Sequence, residues 1–194
     1  MASARENGIV TGIVIDLEDP QNLGRIQVSF PHLSDQPSDW ARLVAPMAGK
    51  DRGVFFRPEI GDEVLVAFEH GDPRRPYILG SVWSTEDTPP PDDGNAKQNN
   101  WRFMKSRSGH IIRLNDTSGG EKIEIIDKDS ARRIVIDSSG SKIQVSCDQG
   151  DIEVTANSGT VTVQAMTVKI TASSDMTLQA GGSITIQGAT VNIN

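Results

Sequence analysis

The sequence predicts an all-β chain built from two unlike halves, and three observations carry that expectation. No stretch of the 194 residues sustains an apolar period of 3.6, whereas short runs of alternating apolar and polar residues recur throughout. Every aromatic residue lies at or before Phe103, so the remainder must build its core from Ile, Val, Leu and Met. Gly, Pro, Asn and Asp punctuate the runs at the short intervals that strands and tight turns require.

The first half, residues 1–87, reads as five strands. Ile9–Asp16 is followed by turn chemistry at Asp19-Pro20 and Asn22-Leu23-Gly24, and a second strand covers Arg25–Phe30. Ala41–Ala45 is the third strand. Gly61-Asp62 introduces Glu63–Phe68, in which Val64, Val66 and Phe68 alternate with Glu63, Leu65 and Ala67. Gly71-Asp72-Pro73 then precedes the last strand, Tyr77–Val82. Five short strands in so few residues suit a small barrel of the OB type. Such barrels often bind oligonucleotides, but the net charge of −7, concentrated in this half, opposes phosphate contact, and Arg74-Arg75 is its one basic pair. Residues 88–103, opening with Thr88-Pro-Pro-Pro-Asp-Asp-Gly94, form a stiff polar linker.

Residues 104–194 form a ladder of aliphatic i, i+2 pairs: Ile112/Leu114, Ile123/Ile125, Ile134/Ile136, Ile143/Val145, Ile152/Val154, Val161/Val163, Val168/Ile170, Met176/Leu178, Ile184/Ile186 and Val191/Ile193. Their spacing falls from 11 residues at the start to 7 or 8 at the end, about one strand and one turn per repeat. Residues between the members of each pair, such as Gln144, Thr162, Lys169 and Thr185, are mostly polar, so each strand has one dry and one wet face. A single-chain solenoid wants longer coils, and a sandwich wants longer strands and aromatic residues. Three chains wound together satisfy the pattern: their inward faces meet on a narrow axis that admits only aliphatic side chains. The expected architecture is therefore an intertwined triple-stranded β-helix, a homotrimer whose core is the paired residues just named.

Several chemistries are excluded or left without support. One cysteine, Cys147, permits no intrachain disulfide, and its parity with Ile143 and Val145 points it at the axis as a small inert residue. His32, His70 and His110 stand in separate segments without the spacing of metal ligands. The acidic pairs Asp62-Glu63 and Asp92-Asp93 fall in a turn and in the linker. No catalytic residue, metal or cofactor is expected. The N-terminus has no apolar signal region and no run reaches membrane-spanning length, so the expectation is a soluble chain made in the cytoplasm.

Four segments carry a resemblance to a known family. They are Gly12-Ile-Val-Ile-Asp-Leu-Glu-Asp-Pro-Gln-Asn-Leu-Gly-Arg-Ile-Gln-Val-Ser-Phe-Pro31, Trp40-Ala-Arg-Leu-Val-Ala-Pro46, the run from Gly61-Asp-Glu-Val64 to Leu79-Gly80, and Ser106-Arg-Ser-Gly-His-Ile-Ile112. Together they resemble the phage baseplate spike proteins (the baseplate assembly protein V family) and VgrG of type VI secretion. The resemblance implies a homotrimeric, non-enzymatic central spike of a contractile tail or injection-system baseplate, assembled into a virion or tail-like particle, that pierces a cell envelope. A receptor-binding or polysaccharide-cleaving tailspike is the alternative, and it lacks the expected aromatic platforms after Phe103. VgrG carries a large hub domain ahead of its OB fold, whereas this sequence starts directly at the OB segment, so a separate hub protein is expected there, with Arg25, Arg74 and Arg75 as candidate contacts. Some related spikes close the far end with a His-x-His metal cluster. No histidine follows His110, so a separate PAAR-like tip protein is expected on Ile184, Ile186, Val191, Asn192, Ile193 and Asn194.

Overall fold

A computed structural model describes residues 8–193. It divides into two units, the first running to Ser146 and the second starting at Cys147.

The first unit opens with β1 (Ile9–Asp16), β2 (Gln27–Phe30), β3 (Gln36–Pro37) and β4 (Arg42–Leu43). The small hairpin β5 (Ala48–Gly49) and β6 (Arg52–Gly53) follows, then β7 (Glu63–Phe68) and β8 (Pro76–Ser81). The main sheet has the order β3-β2-β1-β7-β8-β4, with β4 parallel to β8 and the other pairs antiparallel. Ile26 and Ala41 close it: each backbone N–H donates to the other's carbonyl, at 2.9 and 2.8 Å, joining the start of β2 to the start of β4. Five of the strands thus form a barrel with no free lateral edge between them.

Alternation explains which side chains fill it. Val64 and Val66 of β7 are fully buried while Glu63 and Leu65 between them are half-buried at the surface. Val14, Ile26, Val28, Phe30, Ala41 and Ile78 complete the core, with Val10, Leu17, Leu43 and Phe68 packed at its margins. Gly12 allows β2 to approach β1 closely, because a Cβ there would lie 3.1 Å from Val28 Cγ2 and 3.3 Å from the Ser29 carbonyl.

The loop from Leu17 to Arg25 is held by one carboxylate. Asp19 is buried and accepts backbone N–H groups from Gln21, Leu23 and Arg25, at 3.0, 2.9 and 3.2 Å. The Arg25 side chain grips the same carboxylate from both sides, Nε to Oδ2 at 3.0 Å and Nη2 to Oδ1 at 2.6 Å. That pairing, with the three backbone donors, holds the Asp19 carboxyl far below the usual range, despite partial desolvation.

Five more strands follow, the last ending at the first residue of the second unit: β9 (Trp101–Lys105), β10 (Ile111–Asn115), β11 (Lys122–Ile126), β12 (Arg132–Asp137) and β13 (Lys142–Cys147). They lie side by side in chain order. Turns at Ser106–Gly109, Thr117–Gly120 and Asp127–Ser130 link them, each closed by a backbone hydrogen bond of 2.8 or 2.9 Å. The sheet starts at Trp101, a few residues inside the stretch read as linker. Arg107 on the first of these turns pairs with Glu59 beside the barrel at 2.9 Å.

In the second unit, residues 148–193 contain no helix or strand and all are exposed. The expected strand repeat is not formed there within a single chain. A strand needs a hydrogen-bonding neighbour and a partner for its dry face, and the isolated chain supplies neither. No helix among the described residues is long and apolar enough to cross a membrane.

The Asp19 clamp sets a pH dependence for the barrel. A carboxyl whose folded pKa is depressed contributes stability above its unfolded pKa, about 3.9, and loses it as pH falls toward the folded value. Asp72, held at about 2 chiefly by hydrogen bonding to Arg74, adds in the same direction. Calorimetric melting of the barrel should therefore be level from pH 7 to 5 and decline below about pH 4. Asp19→Asn should lower the midpoint at pH 7 by roughly 5–10 °C and flatten that decline.

Candidate functional site

The register of the second sheet sorts its side chains into two faces. Directly opposed residues share a face, so Met104, Ile112, Ile125 and Ile134 form one row and Leu114, Ile123 and Ile136 form the next. Ile143 and Val145 on β13 are exposed as well. Every aliphatic residue in these rows is about half exposed, from 40% at Ile136 to 50% at Ile125. Among the described residues no element covers this aliphatic sheet face, and exposed apolar patches of this kind often serve as interaction surfaces.

The opposite face is self-sufficient. Arg113 Nε donates to Glu124 Oε2 at 2.6 Å, both side chains are largely buried, and the guanidinium lies 4.1 Å from the centroid of the Trp101 ring. Trp101 meets Phe103 edge-on at 6.4 Å. Ile126 is buried on this face. The polar residues of the ladder therefore find partners within one chain, and the aliphatic ones do not.

The remaining core candidates, Ile152, Val154, Val161, Val163, Val168, Ile170, Met176, Leu178, Ile184, Ile186, Val191 and Ile193, are all exposed in the second unit. Of the expected tip contacts, Ile184, Ile186, Val191, Asn192 and Ile193 fall in this exposed stretch, and Asn194 lies outside the described residues. Cys147 ends β13, half-buried, with Sγ 3.1 Å from the Gln149 carbonyl.

Arg25, Arg74 and Arg75 line one groove on the barrel, of about 1200 Å³. Each is engaged within its own chain. Arg25 is held by Asp19; Arg74 donates to Asp72 at 2.8 and 3.0 Å; Arg75 reaches Glu69 at 3.3 Å. The groove also contains residues that sequence reasoning passed over: Trp40, Arg42, Arg52, Phe55 and Tyr77. Arg42 lies 5.4 Å from the Tyr77 ring centroid and donates from Nη1 to its hydroxyl at 3.2 Å. Phe55 is 72% exposed and rests against Gly24, where a Cβ would stand 3.2 Å from its ring. The signal was present in Arg52-Gly-Val-Phe-Phe-Arg57, two aromatic residues between arginines in a segment assigned to no strand.

The structure does not gather the histidines. His32 packs edge-on against Phe30 at 5.8 Å, His70 sits with a left-handed backbone (φ 53°) in the turn before Asp72, and His110 Nδ1 lies 2.9 Å from Asp127. Among the described residues no group of three or more His, Cys, Asp or Glu is placed to hold a metal ion.

Comparison with known proteins finds a family match to the barrel and relatives that align over about half of the chain. Residues 10–83 match the family described as the type VI secretion system/phage-baseplate injector OB domain. The type VI secretion system spike protein VgrG1a of Pseudomonas aeruginosa is 35% identical over 113 residues, which is 53% of this chain and 18% of that protein. VgrG3 of Vibrio cholerae is 29% identical over 110 residues, 53% of this chain and 11% of the relative. The actin cross-linking toxin VgrG1 of Vibrio cholerae is 38% identical over 72 residues, 34% of this chain and 7% of the toxin. The matched region thus spans less than a fifth of the length of these relatives. Residues 10–83 are thus similar to an injector OB domain, and about half of the chain aligns with VgrG spike proteins of type VI secretion.

Proposed function

We propose that this chain is a structural, non-enzymatic central spike of a contractile tail or injection-system baseplate, acting as a homotrimer that pierces the target envelope. The observation that carries the reading is the aliphatic face of β10–β13, exposed in one chain and continued in parity by the i, i+2 pairs from Ile152 to Ile193. Three such faces turned to a common axis bury one another. Each aliphatic side chain so covered contributes about 2 kcal/mol. A closed prism of interwound strands leaves no lateral edge and resists unfolding under axial load.

In this reading the barrel end meets a separate hub protein, with Arg25, Arg74 and Arg75 near the contact. The other end, Ile184, Ile186 and Val191 to Asn194, docks a separate PAAR-like tip.

Three measurements test the proposal. Sedimentation of the full chain should give about 63 kDa, three times the 21.0 kDa protomer, and Ile152→Asp or Ile186→Asp should abolish that species. Each substitution puts three charges on one axis, at on the order of several kcal/mol per buried ion. A monodisperse native monomer would sink the trimer. Incubation of the purified chain with peptidoglycan or outer-membrane polysaccharide should release nothing; product release that vanished on replacing one carboxylate would overturn the non-enzymatic role. Deleting residues 188–194 should abolish co-purification with the tip candidate, and binding unchanged by the deletion would place the tip elsewhere.

A further inference from the structure

The arginine–aromatic groove of the barrel divides its cations into two classes. Arg25, Arg74 and Arg75 are engaged by Asp19, Asp72 and Glu69. Arg42 and Arg52 have no carboxylate partner among the described residues; Arg42 meets Tyr77 instead, at its ring and its neutral hydroxyl. Asp51 and Glu69 also line the groove, and Glu69 is already shared between Arg75 and the Tyr77 hydroxyl, at 3.3 and 3.4 Å. Two unspent guanidinium groups beside the faces of Trp40, Phe55 and Tyr77 suit an extended acidic segment that also carries apolar bulk.

One segment of this chain has that composition. Residues 84–96, Ser-Thr-Glu-Asp-Thr-Pro-Pro-Pro-Asp-Asp-Gly-Asn-Ala, hold four carboxylates, three consecutive prolines and no basic residue. Its ends are shaped by local hydrogen bonds. Ser84 Oγ accepts the N–H groups of Glu86 and Asp87 at 3.2 and 3.0 Å, and Asp92 and Asp93 accept those of Gly94 and Asn95 at 2.8 and 3.0 Å. None of Glu86, Asp87, Asp92 or Asp93 pairs with a cation among the described residues. The prolines between them are exposed or half-exposed and biased to polyproline II, so little ordering entropy remains to be lost on docking. The segment does not enter the groove of its own chain.

Placement agrees with composition. The loop after Asp16 opens one end of the groove, and Asp16 lies at the end of β1 near Glu63 of β7. Ser81, from which the segment departs, pairs with Val64 at that same end of the barrel. The Asn22–Arg25 side of the groove therefore opens toward the end of the barrel where the segment departs, while its Arg42 and Tyr77 lie toward the other end of β8.

We propose that the groove formed by Trp40, Arg42, Arg52, Phe55 and Tyr77 receives residues 84–96 of a second copy, tying neighbouring barrels together above the ladder. The proposal rests on the self-assembly reading above. Nucleic acid fits less well, because the chain carries −7 overall and only two guanidinium groups of the groove lack a carboxylate partner among the described residues.

Disulfide capture in the full chain tests it. On a Cys147→Ser background, Met47→Cys in the groove wall and Thr88→Cys in the segment should cross-link between chains under mild oxidation, yielding dimer and trimer bands without reductant. Adding Arg52→Glu should slow capture about tenfold, and Asp92→Arg should restore most of it. Capture unaffected by both charge changes, cross-links only within one chain, or no cross-link in assemblies of about 63 kDa would each overturn the docking while leaving the self-assembly reading standing. Sedimentation of the background chain as a monomer would overturn both.

Discussion

The constraint on which the molecule turns is an aliphatic sheet face with no partner among the described residues of its own chain. Ile112, Ile125 and Ile134 stand in one row and Leu114, Ile123 and Ile136 in the next, and water reaches all six. Water is a poor neighbour for such a surface, at about 25 cal/mol for each square ångström left uncovered. The reverse face shows what the sheet does when partners exist within the chain. There Arg113, Glu124 and Trp101 satisfy one another at close range, and Ile126 is buried. Such division of labour, polar groups satisfied inside one chain and aliphatic groups left exposed, is what the proposed assembly would use.

The barrel follows the opposite logic. Its eight buried side chains form a finished core, and its carboxylates are spent on holding loops. Asp19 organises the segment after β1 with five hydrogen bonds, and the arginine that completes the clamp becomes part of a groove wall. Arginine counting alone overstates what the groove can offer a partner, since Arg25, Arg74 and Arg75 are already neutralised. The barrel can fold and hold its loops in shape before any assembly, which leaves its surface preorganised for docking.

How much of this was legible in the sequence depended on whether a local rule governed the residue. Strict alternation in Glu63–Phe68 and the aliphatic pairs Ile112/Leu114 to Ile143/Val145 located strands because a period of two is a backbone property. Bracketing by Gly61-Asp62 and Gly71-Asp72-Pro73 located turns for the same reason. The closing contact between Ile26 and Ala41 left no sequence trace, since any two residues can exchange backbone hydrogen bonds. Trp101 was grouped with the linker because an Arg102 and a polar stretch surround it, yet it covers Arg113 on the neighbouring strand. The groove was missed because its members come from positions 40 to 77 and meet only when the barrel closes. Arg42 and Tyr77 are brought together by the parallel pairing of β4 and β8, which no periodicity announces.

The change along the ladder supports assembly as the stabilising principle of its far end. Early pairs are 11 residues apart, enough for a strand of five or six residues and a full turn, and β9 to β12 pair within the chain accordingly. Toward the C-terminus the interval shrinks to 7 or 8. Once a turn of about four residues is subtracted, only three or four remain for each strand, too few for a stable hairpin ladder. Shortening of the repeat thus removes in-chain pairing while preserving the aliphatic alternation. That combination is what the proposed trimer would answer, by supplying hydrogen-bond partners for the short strands from other chains.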